Sequence, residues 1–302
     1  MTGGLDERVA AALAAPVADE ARAFAQRLGE AAGATAVLFY GSNLRTGSLD
    51  GVLDFYVLLP GPRERGIWPR VSYHEWELAG VTLRAKVATM TLATFAAAAR
   101  GELVDTTIWA RFVQPSALAW ERNEAAGPAT RAAVAGAAVT AARLAVALGP
   151  AAAGAEDFWR CLFRATYAAE FRVEKAGREE SILAANRAHF AGLLPLALAA
   201  GGIAFQQDGE TIRPALAPAE RARLRGWWRR RRRLGKPYNF VRLLKASTTF
   251  DGAARYAAWK IERHTGVPVI LTPWRERHPV LAAPGVLWRV WRGKRARAEA
   301  LR

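Results

Sequence analysis

Leu38-Phe39-Tyr40-Gly41-Ser42 and, a dozen residues on, Leu53-Asp54-Phe55-Tyr56-Val57-Leu58-Leu59 decide the fold of this 302-residue chain. The first is an apolar run that ends in a Gly-Ser turn; the second is an apolar run with one acid near its start. Runs of this length, bounded by turn residues, read as buried strands. The expected order is strand, Gly-Ser turn, short helix, Asp-bearing strand. Gly41 lets a backbone approach a ligand without a Cβ in the way. Ser42 offers a hydroxyl, and amides at a helix start favour negative charge. Asp54 is the only carboxylate on the second strand, and Mg²⁺ takes one or two carboxylates together with substrate phosphate oxygens. A tight turn and a buried, hydrogen-bonded Asp would explain the same residues without chemistry.

Working outward, Leu5 to Ala31 reads as one amphipathic helix, with apolar residues at three- and four-residue steps. Val71–Leu78 and Val81–Met90 read as a hairpin across Ala79-Gly80. Thr91–Gly101 and Leu103–Phe112 read as helices, the first with a Thr cap, and Pro115 with the charged residues after it suggests a boundary near residue 120. From Ala125 to about Ala199 the pattern is mainly helical, with breaks at Gly149-Pro150 and Pro195. Ile203–Ile212 reads as a small hairpin around Asp208-Gly209, shaped like the wing of a winged-helix module. A basic helix with Gly226-Trp227-Trp228 follows, and Phe240–Arg263 reads as another, broken near Asp251-Gly252. The expectation is an α+β protein in three parts. Residues 1–120 form a mixed sheet with helices, 121–240 a mainly helical, winged-helix-like domain, and 241–302 a helical region with a basic end.

The chain carries a formal net charge of +16, and its sequence pI is about 11.0. Eight arginines fall between Arg221 and Arg233, and five more cations between Arg289 and Arg297. Such a surplus predicts a polyanionic partner, a nucleic acid or an anionic membrane surface. A single cysteine, Cys161, excludes an internal disulfide framework and suits a reducing compartment. No signal peptide is evident, and the Ala-rich runs at Ala132–Leu148 and Leu193–Phe205 are too interrupted to read as lipid-spanning helices. The histidines have no partners at metal-ligand spacing.

Several segments further on carry a resemblance. Lys86-Val87-Ala88-Thr89-Met90-Thr91, Trp109-Ala110-Arg111-Phe112-Val113-Gln114-Pro115 and Tyr167-Ala168-Ala169-Glu170-Phe171-Arg172 stand in order, with Asn186 and His189-Phe190 after them. Together with Gly41-Ser42 and Leu53-Asp54-Phe55 they resemble the mitochondrial-type phosphatidate cytidylyltransferases, the translocator-assembly-and-maintenance family of CDP-diacylglycerol synthases, over roughly residues 35 to 195. The resemblance implies a nucleotidyltransferase domain followed by a winged-helix-like domain. It implies the conversion of CTP and phosphatidic acid to CDP-diacylglycerol and pyrophosphate with Mg²⁺. Carried over position by position, Gly41, Ser42 and Asn43 with Arg111 would hold the nucleotide, Asp54 the metal, and Lys86 the reacting phosphates. Glu170 and Arg172 would line the substrate cleft.

The chain departs from the general nucleotidyltransferase pattern, in which two acids stand two residues apart. Val52 and Tyr56 flank Asp54 at that spacing, so the second metal carboxylate has to come from elsewhere. Asp50 is the first candidate; Glu75 and Glu77 are the others. Asn43 stands where the family tends to have Gly, and Gln114 replaces a Lys.

At the C-terminus, Trp288 and Trp291 alternate with Arg289 and Arg292 in an amphipathic stretch suited to lying in the plane of an anionic bilayer. The Trp227-Trp228 pair with the Arg229–Arg233 run is a second candidate contact. The expected protein is a peripheral cytidylyltransferase on the cytoplasmic side of a bacterial inner membrane, with CTP, phosphatidic acid and an anionic membrane as partners and no nucleic acid. The alternatives are a nucleotidyltransferase-fold enzyme acting on nucleic acid, and a catalytically inactive adaptor.

Overall fold

The computed structural model describes residues 3–66, 69–78, 80–169, 177–249, 251–277, 281–286, 288–289 and 292. Its centre is a five-stranded mixed sheet in the order β3-β4-β2-β1-β5. The strands are β1 Ala36–Tyr40, β2 Leu53–Leu59, β3 Arg70–Leu78, β4 Val81–Thr91 and β5 Ser116–Glu121. β1 runs antiparallel to both β2 and β5, β2 parallel to β4, and β3 antiparallel to β4. This is an α+β protein, as the strand and helix patterns predict.

Side-chain alternation assigns the two faces of the sheet. Val37, Phe39, Leu53, Phe55, Val57, Ala85 and Val87 point to one face and bury against helix α2, Asp19–Ala32, through Phe24, Ala25 and Leu28. Leu38, Tyr56, Leu58, Ala88 and Met90 point to the other. That face is covered by α1 (Gly3–Leu13), α4 (Leu92–Ala99), α5 (Thr107–Phe112) and α6 (Ala126–Leu148). Asp54 sits at the start of β2 on this second face, at the end where the helices leave it open.

Three expectations are corrected here. The single helix expected over 5–31 is two, α1 and α2, because the chain turns at Pro16 between them. The stretch directly after Pro115 is a strand that the sequence pattern did not suggest, β5, paired with β1 on either side of a register shift. The helix expected over Leu103–Phe112 begins only at Thr107, since Asp105 accepts hydrogen bonds from the Thr107 amide (2.9 Å) and hydroxyl (2.8 Å) and fixes the start there.

Beyond the sheet, α6 is the hub of a helical layer with α7 (Ala155–Ala169), α10 (Leu193–Ala200) and α11 (Pro218–Thr249). Two shorter helices, α8 (Arg178–Ala185) and α9 (Arg187–Phe190), stand between α7 and α10. α6 is 23 residues long and apolar enough to cross a membrane, but two-thirds of its most apolar window (67%) is buried inside the protein. It reads as a core helix. The expected hairpin is present as β7, Phe205–Asp208, and β8, Thr211–Pro214, joined to the two-residue β6, Ala153–Gly154, in a second small sheet.

α11 carries on through Pro237 to Thr249, so the two helices expected over this region are one until the break before α12, Ala253–Thr265. After the break the chain returns to the first sheet. The Tyr73 amide of β3 donates to the Asp251 carbonyl at 2.8 Å, next to a parallel bridge between Ser72 and Asp251. Gly252 makes this approach possible: its φ is +76°, and a Cβ there would stand 2.7 Å from the Tyr73 carbonyl oxygen. The Tyr73 and Tyr256 rings lie 5.4 Å apart, Trp259 stacks on Tyr256, and the Arg84 and Arg263 guanidinium groups both lie over Trp259.

Candidate functional site

A single register row crosses the sheet at its open end: Tyr73 on β3, Lys86 on β4, Asp54 on β2, Tyr40 on β1 and Ser116 on β5. Register partners project to the same face. The strand lysine and the strand acid singled out from the sequence are therefore direct neighbours on parallel strands. Gly41 closes over them with φ +95°, and a Cβ there would come within 3.3 Å of Asp54 Oδ2. The Gly-Ser turn and the carboxylate thus converge on one point.

Arg111 reaches the same point from α5. Its Nη1 donates to the Tyr56 hydroxyl at 3.0 Å, and its guanidinium lies 5.1 Å from the Tyr40 ring centre and 5.9 Å from that of Tyr56. The two tyrosines hold the cation by hydrogen bonding and cation–π attraction. Sequence reasoning missed both, although their signal was present: Tyr56 lies two residues beyond Asp54 on a strand and so shares its face.

The charges act on one another. Burial pushes the Asp54 carboxyl above the ordinary aspartate value, against the pull of Lys86 and then Arg111. Burial likewise lowers Lys86; Asp54 opposes this, while Arg111, Lys260 and Arg242 reinforce it. Lys86 keeps access to solvent beside Asp54, but it is not among the residues that line the cavity next to them. Burial also drives the Tyr40 hydroxyl upward, keeping it a neutral phenol. The result is a half-buried carboxylate with two cations beside it and more cations from α11 and α12 within electrostatic reach. Arg242 on α11 is anchored by buried Asp105 at 3.3 Å.

Of these groups Tyr40, Asp54 and Arg111 open into a cavity of about 480 Å³, within the size range of small-molecule sites. Tyr40, Gly41, Ser42, Arg45, Asp54 and Arg111 form one wall, and Tyr167, Ser181, Ile182, Ala185 and Asn186 the other. Tyr167, from one of the segments that carry the resemblance, both packs against the core and lines this cavity. Buried Asn186 donates from Nδ2 to the Ile182 carbonyl at 2.8 Å. It thereby holds the turn between α8 and α9 against the cleft.

Other residues singled out from the sequence stand elsewhere. Asn43 does not line the cavity; its Nδ2 donates to the carbonyls of Ser48 and Asp50, both at 2.8 Å, and ties down the loop before β2. α3, Ser42–Thr46, is only five residues long, too short to supply a strong helix dipole. Asp50 is exposed in that loop and is not brought to Asp54. Glu75 accepts from the Tyr73 hydroxyl at 2.8 Å and pairs with Arg84 at 3.4 Å, while Glu77 lies exposed farther along the edge strand β3. Glu170, Arg172 and Trp291 lie outside the described residues. His189 holds the Val113 carbonyl at 2.9 Å, a structural bond.

Among the described residues Asp54 is the only acid lining the cavity, and no cluster of three or more His, Cys, Asp or Glu side chains exists. One carboxylate meets the lower limit for Mg²⁺, whose remaining ligands would be water and phosphate oxygens. The residues fit an ion that arrives with a polyphosphate rather than one caged by the protein. No family model matches the chain, and none of the curated proteins matches it.

Proposed function

We propose that the protein is a peripheral-membrane cytidylyltransferase that joins the CMP moiety of CTP to phosphatidic acid, releasing pyrophosphate. One observation carries this reading: Asp54 lies under the Gly41 turn, in register with Lys86 and facing Arg111, in a cleft sized for a nucleotide. The order of the segments resembling the phosphatidate cytidylyltransferases supports the choice of substrates.

In this mechanism Gly41 and Ser42 cradle the triphosphate, and the Arg111 cation neutralises it from the same wall. Lys86 stands on the Asp54 side and draws the acceptor phosphate toward the α-phosphorus. An oxygen of the lipid phosphate forms the new P–O bond as the bond between the α-phosphorus and its bridge oxygen to the β-phosphate breaks, and pyrophosphate leaves with that oxygen. No general base is required, because a phosphate monoester is already largely ionised at neutral pH. Asp54 would hold Mg²⁺, which supplies charge neutralisation at the transferring phosphate. Tyr40 and Tyr56 keep Arg111 in place through its approach to their rings.

The test is pyrophosphate release from CTP with phosphatidic acid in mixed micelles and Mg²⁺. Wild type should turn over only when both substrates are present, and Asp54→Asn should lose at least about a thousandfold in rate with unchanged melting. The lone carboxylate favours one second reading, an inactive nucleotide-binding adaptor. Mg²⁺-dependent CTP binding without turnover would establish that instead.

A further inference from the structure

α11 divides along its length into a packed face and an open one. Trp227, Trp228, Arg231, Gly235, Tyr238 and Arg242 recur at three- and four-residue steps and form the inward face. The opposite stripe carries Arg230, Arg233, Leu234, Pro237, Phe240 and Val241, all exposed. Phe240 is 64% exposed, Val241 44% and Leu234 40%. On the flank of this stripe, toward α7, a groove is lined by Arg164, Arg221, Arg225, Arg229 and Arg232 over a floor that includes Leu148 and Trp228. A second hollow, formed by Gly226, Arg229, Arg230, Arg233 and Leu234, joins that groove to the stripe. No acidic side chain lines either.

Three arginines of the groove already have partners, Arg164 in Glu179 at 3.2 Å. Arg221 and Arg225 donate to the carbonyls at the end of α6, Ala147 and Gly149. Arg229, Arg230, Arg232 and Arg233 pair with no carboxylate among the described residues. Eight large apolar side chains are exposed among the described residues, and seven of them lie at or beyond Leu234. The apolar exposure is thus gathered on the same part of the chain as the uncompensated positive charge.

We propose that the open face of α11, its arginine half and its Leu234–Val241 half together, docks the protein on an anionic lipid bilayer. Cations near such a surface and apolar side chains entering its interface act additively. A nucleic-acid backbone would use the arginines but leave Phe240 and Val241 in water. The surface extends the membrane part of the proposed function and is independent of its chemistry.

The experiment is co-sedimentation of the full-length chain with vesicles of phosphatidylcholine alone, or with added phosphatidylglycerol, without nucleotide or phosphatidic acid. Wild type should bind only the anionic vesicles. The triple variant Arg229→Glu, Arg230→Glu, Arg233→Glu should bind them at least about a hundredfold more weakly, and Phe240→Ser with Val241→Ser about tenfold. Both variants should melt as wild type does, and both should retain any turnover of a soluble short-chain phosphatidic acid. Wild-type affinity in the triple variant would overturn the proposal and leave binding to the C-terminal Trp288 segment. Equal binding to neutral vesicles would also overturn it. So would displacement from vesicles by single-stranded RNA, if RNA binding needs the arginines but not Phe240 and Val241. Vesicle binding with no cytidylyl transfer would refute the proposed reaction and spare the docking surface.

Discussion

Arg231 and Arg233 stand two residues apart in one run of arginines, and the helix sends them to opposite environments. Arg231 is buried. Its Nη2 donates to the carbonyls of Gly101 and Leu103 at 2.6 and 2.8 Å, its Nε donates to Leu103, and its guanidinium lies 3.7 Å from the centre of the Trp227 ring. Burial holds it below the ordinary arginine value, at about 10, and Arg230 adds to the effect. Arg233 is exposed, with no carboxylate partner among the described residues. One arginine fastens α11 to the end of α4; the other contributes to the surface potential. A run of like charges is therefore two different objects once a period of 3.6 is imposed on it.

The contrast has measurable edges. The largest effect expected on α11 is from Arg231→Ala, which strips two buried carbonyls of their donor and Trp227 of its cation. Chemical denaturation should show a loss of about 3 kcal/mol; a loss below the scatter of surface substitutions would mean that the packed face does not depend on it. Next comes Gly235→Ala, whose Cβ would stand 2.6 Å from the Ala169 carbonyl oxygen where α11 crosses α7. A shift of the helix should cost about 1–3 kcal/mol in the same measurement.

A third test extends the comparison to a buried cation precursor. Burial lowers His189, its bond to the Val113 carbonyl opposes this, and Arg8 adds a further lowering push. With the folded value below the unfolded one, about 6.5, the unfolded chain binds more protons in the window between them. His189 then adds stability that is complete above about pH 6.5 and is lost as the pH falls toward the folded value. Melting temperatures between pH 5 and 8 should fall on the acid side, and His189→Gln should flatten that limb. The smallest effect is expected from Arg233→Ala, within about 0.5 kcal/mol of wild type in stability.

The same contrast explains what was legible in the sequence. Strand β2 was readable to its ends, because Leu53–Leu59 is an apolar run with turn residues on both sides. Asp54 and Lys86 were legible as candidates, but their adjacency was not: it depends on β4 pairing in parallel with β2 while β3, between them in the chain, goes to the sheet edge. β5 was hidden by Pro115 and Glu121, which make a short strand look like the start of a charged linker. The Trp227-Trp228 pair, read as a membrane contact, instead packs against Trp109, with ring centres 6.1 and 6.2 Å away. Trp228 is only 4% exposed. Composition marked the pair as unusual, and only the helix's orientation could say which way it pointed. Trp288, by contrast, is 55% exposed, with the Arg292 guanidinium 4.7 Å from its ring centre.

The pairing of Tyr73 with Asp251 has a consequence in time. β3 is the last strand on its side of the sheet, and its outer edge is met by a segment encoded nearly 180 residues later. At ribosomal speeds of about 5–20 residues per second, that partner emerges some 10–35 s after the strand it covers. Through that interval the nascent sheet presents an open row of amides and carbonyls, the usual template for joining a stranger's strand. Arrival of Asp251 and Gly252 covers that edge at Ser72 and Tyr73, so the later segment acts as a clasp on a strand made long before it.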